Sequence, residues 1–273
     1  MTEETARYSG TLAIIGGGRM GEAIVGGLVR SGALSSDRIT VAEPDAARRD
    51  SLAAAFQVRT VADGAQALPA DIALLAVKPQ VIDEVVSALS GSLGASLVIS
   101  IAAGVSCARL EVGLPAGTAV VRVMPNTPAL VGEAMSVVSG GSEASAEQVE
   151  LVRGLFAALG TSLILAERYQ DAATAISGSG PAYFALVVDA LARGGVRHGL
   201  PRDVAQTLAT QTMLGTARLL AETGMHPEAL VDGVSSPGGT TIAAVEALEA
   251  RAVRAAFGEA VAAAVQRAKE FGS

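Results

Sequence analysis

The chain has 273 residues and a formal net charge of −7, with 50% hydrophobic and 17% charged residues. That length suffices for two medium domains with a sizeable core; the acidic balance excludes a basic nucleic-acid footprint, and the apolar content excludes disorder. A single cysteine, Cys107, excludes an intramolecular disulfide framework and a multi-cysteine metal site; it reads as a small packing residue near a helix start, in a reducing compartment.

Mean hydropathy is +0.45. The apolar runs at 71–78 and 183–189 are nevertheless cut by charges before the ~18–20 residues that a membrane span needs. Residues 1–7 are polar and acidic, and no apolar stretch precedes Leu12. The expectation is a cytoplasmic protein with neither a membrane nor a nucleic-acid partner.

In chain order, Leu12–Ile15 reads as a buried strand, and Met20, Ile24 and Leu28 recur behind it as one face of a helix. Ile39–Ala42 is a second strand, followed by a helix over 46–55. Residues 58–61 form a shorter third strand and 72–77 a fourth. Pro79 suits the opening of a helix over 81–89. Residues 97–101 and Val120–Met124 are the fifth and sixth strands. Apolar runs without alternation, separated by helical patterns, predict an α/β fold with a doubly wound parallel sheet covered on both faces. After 163–165 the strand signals stop, and 181–197, 203–222, 242–250 and 253–271 read as helices, with Pro181 in a first turn. The expected division is therefore 1–165, α/β, and 166–273, all-α. The second part has alanine- and glycine-rich faces and little large apolar material, so it is expected to bury a helical face against a second copy of itself.

Gly16-Gly17-Gly18-Arg19-Met20-Gly21 fits G-x-G-x-x-G between a strand and a helix. In that setting the first glycine permits a tight turn, the second lets a pyrophosphate touch backbone, the third packs helix on strand, and the helix N-terminus supplies N–H groups. Glu43 follows the second strand, where an acidic side chain accepts from a ribose 2′-hydroxyl and favours NAD; Arg48 and Arg49 stand close enough in sequence to carry a 2′-phosphate instead. Lys78, one of two lysines, ends the fourth strand, and Ala103 follows the fifth, both on the edge where such sheets bind ligands. Ser235-Ser236-Pro237-Gly238-Gly239-Thr240-Thr241 then places glycines and hydroxyls before the helix near Ile242, a pattern suited to a small carboxylate or to an ordinary capped turn.

The segment from Asp232 to Glu249, DGVSSPGGTTIAAVEALE, closely resembles the hallmark of pyrroline-5-carboxylate reductases. Ala76-Val77-Lys78-Pro79, Val123-Met124-Pro125-Asn126-Thr127-Pro128-Ala129 and Ser177-Gly178-Ser179-Gly180-Pro181-Ala182-Tyr183 are similar to that family too, and the similarity runs over nearly the whole chain. The resemblance implies an N-terminal Rossmann domain and a C-terminal all-α dimerisation domain, with dimers sometimes assembled into larger rings. It further implies NADPH- or NADH-dependent reduction of the cyclic imine 1-pyrroline-5-carboxylate to L-proline, the last step of proline biosynthesis. Carried over, Gly16, Gly17, Gly18, Arg19, Met20 and Gly21 hold the pyrophosphate; Val77, Lys78 and Ala103 line the nicotinamide side; Ser236, Gly239, Thr240 and Thr241 form the substrate loop; and Glu167 matches a substrate-side carboxylate. Gly233 and Asp63 depart from a family pattern that often has asparagine.

Hydride attack on a C=N carbon is easiest when the nitrogen is protonated, so orientation can supply much of the rate. The expectation is that the amides of residues 239–241 bind the carboxylate while the Thr241 hydroxyl hydrogen-bonds the ring nitrogen. His198 and His226 read as loop residues, leaving no general acid. Two competing readings fare worse. A hydroxyacid dehydrogenase needs a base, commonly a lysine on the helical side, and that part contains only Lys269. A dinucleotide sensor without turnover needs no carboxylate loop.

Overall fold

A computed structural model describes residues 8–272; the polar segment 1–7 lies outside the described residues. The first part comprises β1 (Leu12–Ile15), α1 (Arg19–Ser31), β2 (Ile39–Ala42), α2 (Ala46–Phe56), β3 (Arg59–Val61), β4 (Ile72–Leu75), α3 (Ile82–Leu89), β5 (Leu97–Ser100), α4 (Cys107–Gly113), β6 (Val120–Met124), β7 (Ala134–Gly140), α5 (Ala146–Ala157) and β8 (Gly160–Ile164). The strands form one eight-stranded sheet in the order β3-β2-β1-β4-β5-β6-β7-β8. Every neighbouring pair is parallel except β6 and β7. The doubly wound, mainly parallel sheet is as expected; the reversal at β6–β7 and the strand β7 were not read, since β7 is AMSVVSG, whose serines break the apolar run although Ser136 and Ser139 are buried.

The uninterrupted apolar character of the central strands follows from burial on both faces. Leu12 and Ile14 of β1, with Ile72 and Leu74 of β4, pack against α1, α2 and α5 through Ile24, Leu52 and Phe156. Ala13 and Ile15, with Ala73 and Leu75, pack on the opposite face against α3 and α4 through Val86 and Leu110. Period two thus sends alternate residues of one strand into two separate cores.

From Glu167 the chain is helical: a short turn Glu167–Tyr169, α6 (Gln170–Ala173), a π-turn over Thr174–Gly178, then α7 (Gly180–Arg197). This 31-residue stretch, Glu167–Arg197, is long and apolar enough to cross a membrane by length and composition alone, although the apolar run within it at 183–189 is short. Pro181 therefore lies inside a longer helical run rather than opening one. Its missing N–H leaves the Ser177 carbonyl without the usual helical donor. Asn126 supplies it: Nδ2 donates to Ser177 O at 3.0 Å, while Oδ1 accepts from Met135 N at 2.9 Å. The π-turn closes with Ser179 N donating to Thr174 O at 3.0 Å.

The chain divides into two compact units, one running to Ser179 and including the stretch from Ala264, the other Gly180–Ala263. The second contains α7, α8 (Arg202–Thr223), α9 (Pro227–Val234), α10 (Thr240–Glu249) and most of α11 (Val253–Gly272). The short α9 went unread in the sequence. Its N-cap is His226, whose Nδ1 accepts from Glu228 N.

Asn126 is 8% exposed and satisfies two backbone groups. Asn126→Ala is expected to cost about 2–4 kcal/mol, the penalty for leaving two buried polar groups unpaired. Denaturant unfolding checks this, with far-UV circular dichroism controlling for folding; an unchanged midpoint contradicts it.

Candidate active site

The carboxyl ends of β1, β4 and β5 lie side by side, with Ile15 paired to Leu75 and Leu75 to Ser100. Ala76 N donates to Ile15 O at 2.8 Å and Ile101 N to Leu75 O at 3.2 Å, so pairing persists to the strand ends before the loops depart. This brings Gly16, Gly17 and Gly18, then Val77 and Lys78, then Ala103 to one edge of the sheet. Lys78 is exposed and Ala103 half-buried there.

The glycines have separate reasons. Gly16 adopts φ +111°, and a β-carbon on it would lie 2.6 Å from the Ala76 carbonyl oxygen. A β-carbon on Gly21 would lie 2.1 Å from the Gly16 carbonyl oxygen, so only glycine lets α1 sit this close to β1. Gly17 is packed against Leu52 and Glu43. Gly18 differs: nothing lies within 4 Å of where its β-carbon would be. It is the N-cap of α1, extended (φ −64°, ψ −177°) and without a side-chain cap. No side chain caps the first-turn amides, and the space beside Gly18 is open, as close approach of a pyrophosphate requires. The residues present fit a dinucleotide.

Glu43 stands just past β2 and is 9% exposed. Its Oε2 accepts from Gly17 N and its Oε1 from Asp45 N, each at 3.0 Å. Arg48 donates through Nε and Nη2 to Gly17 O at 3.1 and 2.7 Å, and Arg49 through Nη1 to the carbonyls of Glu43 and Pro44 at 2.8 and 2.7 Å. Beyond Glu43 a cavity of about 390 Å³ is walled by Gly16, Ala42, Pro44, Gly64, Val77 and Leu89 among others. Mostly apolar and open at the sheet edge, it suits a flat base. Asp63 also lines it, but its carboxylate caps its own turn through Ala65 N at 2.9 Å. Sequence reasoning missed this cavity; the signal available was the strand-end position of residues 62–64, on the edge already chosen for ligands.

Glu167 sits in the first unit beside Arg122, whose side chain is 6% exposed. Arg122 pairs with Glu167 at 3.3 Å and Asp171 at 3.4 Å, and Glu167 Oε1 accepts from Cys107 N at 2.8 Å. Burial, reinforced by the nearby Glu167 carboxylate, pushes the Cys107 thiol up to about 12, which keeps it protonated and unreactive at neutral pH.

In the second unit, Gly239 is the N-cap of α10 (φ −79°, ψ 174°), again with no side-chain cap. Gly238 has φ +66°, and the turn closes with Gly239 N donating to Ser236 O at 3.0 Å. The Gly239 amide is engaged within the loop by this bond, and the amides of Thr240 and Thr241 open the helix beyond it. Thr240 and Ser236 are exposed and Thr241 half-buried.

Residues 167–271 match the family described as pyrroline-5-carboxylate reductase dimerisation, and residues 11–104 match one described as NADP oxidoreductase, coenzyme F420-dependent. A pyrroline-5-carboxylate reductase from Synechocystis is 48% identical over 262 residues, covering 96% of this chain and 98% of that protein. The structure of a pyrroline-5-carboxylate reductase from Coxiella burnetii superposes with a TM-score of 0.91 at 36% identity, over 97% of this chain and all of that one. That of the Plasmodium falciparum pyrroline carboxylate reductase, with NADP bound, has a TM-score of 0.89 at 28% identity, over 98% of this chain and 100% of that one. With such likeness over nearly its full length, joined to a glycine-lined dinucleotide edge, this chain belongs to the pyrroline-5-carboxylate reductase family.

Proposed function

We propose that the chain reduces 1-pyrroline-5-carboxylate to L-proline with NADPH or NADH, and that the two glycine-capped helix starts divide the binding between them. The observation that carries this is the unfilled space at Gly18, where neighbouring glycines are forced by protein contacts and this one is not. Gly16 to Gly21 hold the pyrophosphate on the α1 amides, Glu43 the ribose, and Val77, Lys78 and Ala103 the nicotinamide end. A bound reduced nicotinamide supplies the hydride.

The chain's own task is then orientation. The amides of Thr240 and Thr241 hold the substrate carboxylate on the dipole of α10. Ser236 borders the loop, and the Thr241 hydroxyl hydrogen-bonds the ring nitrogen. Because the substrate acts as its iminium, no side chain need donate a proton during attack. His226 is occupied as a helix cap and fits no acid role. Glu167 acts on the substrate side through the charge cluster that anchors it, rather than by proton transfer.

Residues 1–165 serve as the dinucleotide domain and 166–273 as the substrate and dimerisation domain of a cytoplasmic homodimer. Support for the dimer lies in the exposed apolar side chains of the second unit: Phe184 at 60%, Leu186 at 69% and Leu208 at 53%. Only Gly180, Ala192, Ala205 and Ala209 are buried on α7 and α8, too little for a stable separate core.

Three outcomes are expected. Thr241→Ala lowers turnover by about 10–100-fold, the range for losing one oriented hydrogen bond in the transition state, and Thr241→Ser restores most of it. Equal, near-wild-type rates for both remove Thr241 from the mechanism. Gly18→Val weakens cofactor binding about tenfold or more, well beyond the loss of about 1 kcal/mol in stability that valine at an N-cap brings, because its side chain enters open space rather than the protein. Sedimentation at micromolar concentration gives a dimer or larger assembly; a monomer overturns the dimer.

A further inference from the structure

We infer that this chain discriminates in favour of NADH, with Glu43 as the residue that sets the preference. The inference rests on the dinucleotide reading above and adds to it which reduced coenzyme the ribose subsite accepts.

Glu43 is held at the end of β2 by backbone: its own N–H donates to Val61 O at 3.0 Å, and its two carboxylate oxygens take the Gly17 and Asp45 amides. Among the described residues it forms no ion pair, and the two hydrogen bonds to its carboxylate come from backbone amides. Each carboxylate oxygen has two lone-pair directions and keeps one for a ribose hydroxyl. A 2′-phosphate would instead bring about two negative charges beside this largely buried carboxylate, where water screens poorly.

Accommodating that phosphate would require a cation turned towards it. Two are near, and both face elsewhere. Arg48 grips the Gly17 carbonyl with two nitrogens, and its Nη2 also lies 3.6 Å from Glu22 Oε2. Arg49 holds the Glu43 and Pro44 carbonyls. The arginines therefore brace the loop that presents Glu43. Recruiting Arg48 to a phosphate would release the Gly17 carbonyl of the glycine turn, and recruiting Arg49 would release the carbonyls of Glu43 and Pro44. The same network that orders the pyrophosphate loop thus places a negative charge at the ribose.

Fluorescence titration of the intact protein with NADH and with NADPH, without substrate, tests this. The expected result is NADH binding at least about tenfold more tightly. Glu43→Gln keeps an oxygen for the Gly17 amide while removing the charge, and is expected to tighten NADPH and bring the two affinities within about threefold. Glu43→Asp retains the NADH preference. Wild-type affinities that are equal or favour NADPH, or a ratio unmoved by Glu43→Gln in a protein with unchanged unfolding midpoint, overturn the inference. So does Arg48→Ala selectively weakening NADPH, since Arg48 would then hold the phosphate. Adding 1-pyrroline-5-carboxylate and following nicotinamide absorbance separates the two readings: tight, selective coenzyme binding without oxidation refutes the reductase while the preference stands, and binding of neither coenzyme refutes both.

Discussion

The contact between Gly21 and the Gly16 carbonyl, too close for any β-carbon, lets the start of α1 pack directly on the end of β1. Around it the loops after neighbouring strands lock together. Gly16 N donates to Ala42 O, Gly17 N to the Glu43 carboxylate, and Ala76 N to Ile15 O. The glycine turn, the Glu43 carboxylate and the loop after β4 therefore share one hydrogen-bonded frame. Under the proposed roles, a dinucleotide entering it would meet groups already oriented, which lowers the ordering cost of binding.

The central strands were legible because both faces of each are buried: LAII and IALL have no polar residue to hide the pattern. What escaped were features decided at long range. β7 carries Ser136 and Ser139 in its interior, and its antiparallel direction depends on the chain reversing after β6 through Thr127–Val131. The π-turn before α7 depends on Asn126, remote in sequence, reaching the Ser177 carbonyl that Pro181 leaves free. Neither periodicity nor propensity contains that information. The proline suggested a helix start because its missing N–H is harmless there, and a side-chain donor made it equally harmless further along.

The site was legible in the same uneven way. G-x-G-x-x-G followed by an acid after β2 is the sequence pattern of a dinucleotide edge, and the contacts of Gly16 and Gly21 show why glycine is required at those two positions. The arginines after Glu43 could be assigned only from their acceptors. Sequence places Arg48 and Arg49 near a possible phosphate; the fold gives them the carbonyls of Gly17, Glu43 and Pro44. Likewise the glycines and hydroxyls before α10 were legible, but the internal bond from Gly239 N to Ser236 O, which decides how that loop closes, was not.

A chain of net charge −7 with two lysines that handles anionic molecules has a difficulty at long range, because its overall field repels them. In the proposed roles, the two glycine N-caps would resolve it at short range. In α2, α4 and α5 the first-turn amides are taken by Asp45, Ser106 and Ser145. In α1 and α10 the N-cap is glycine, with ψ of −177° and 174°, and no side chain competes for the amides. Oriented N–H dipoles hold a phosphate or carboxylate by direct contact without a cation, and they lose little to counterions because they act within a hydrogen-bond length. An arginine in either place would bind more anions less selectively; a backbone cradle whose shape is set by glycine admits only one that fits it.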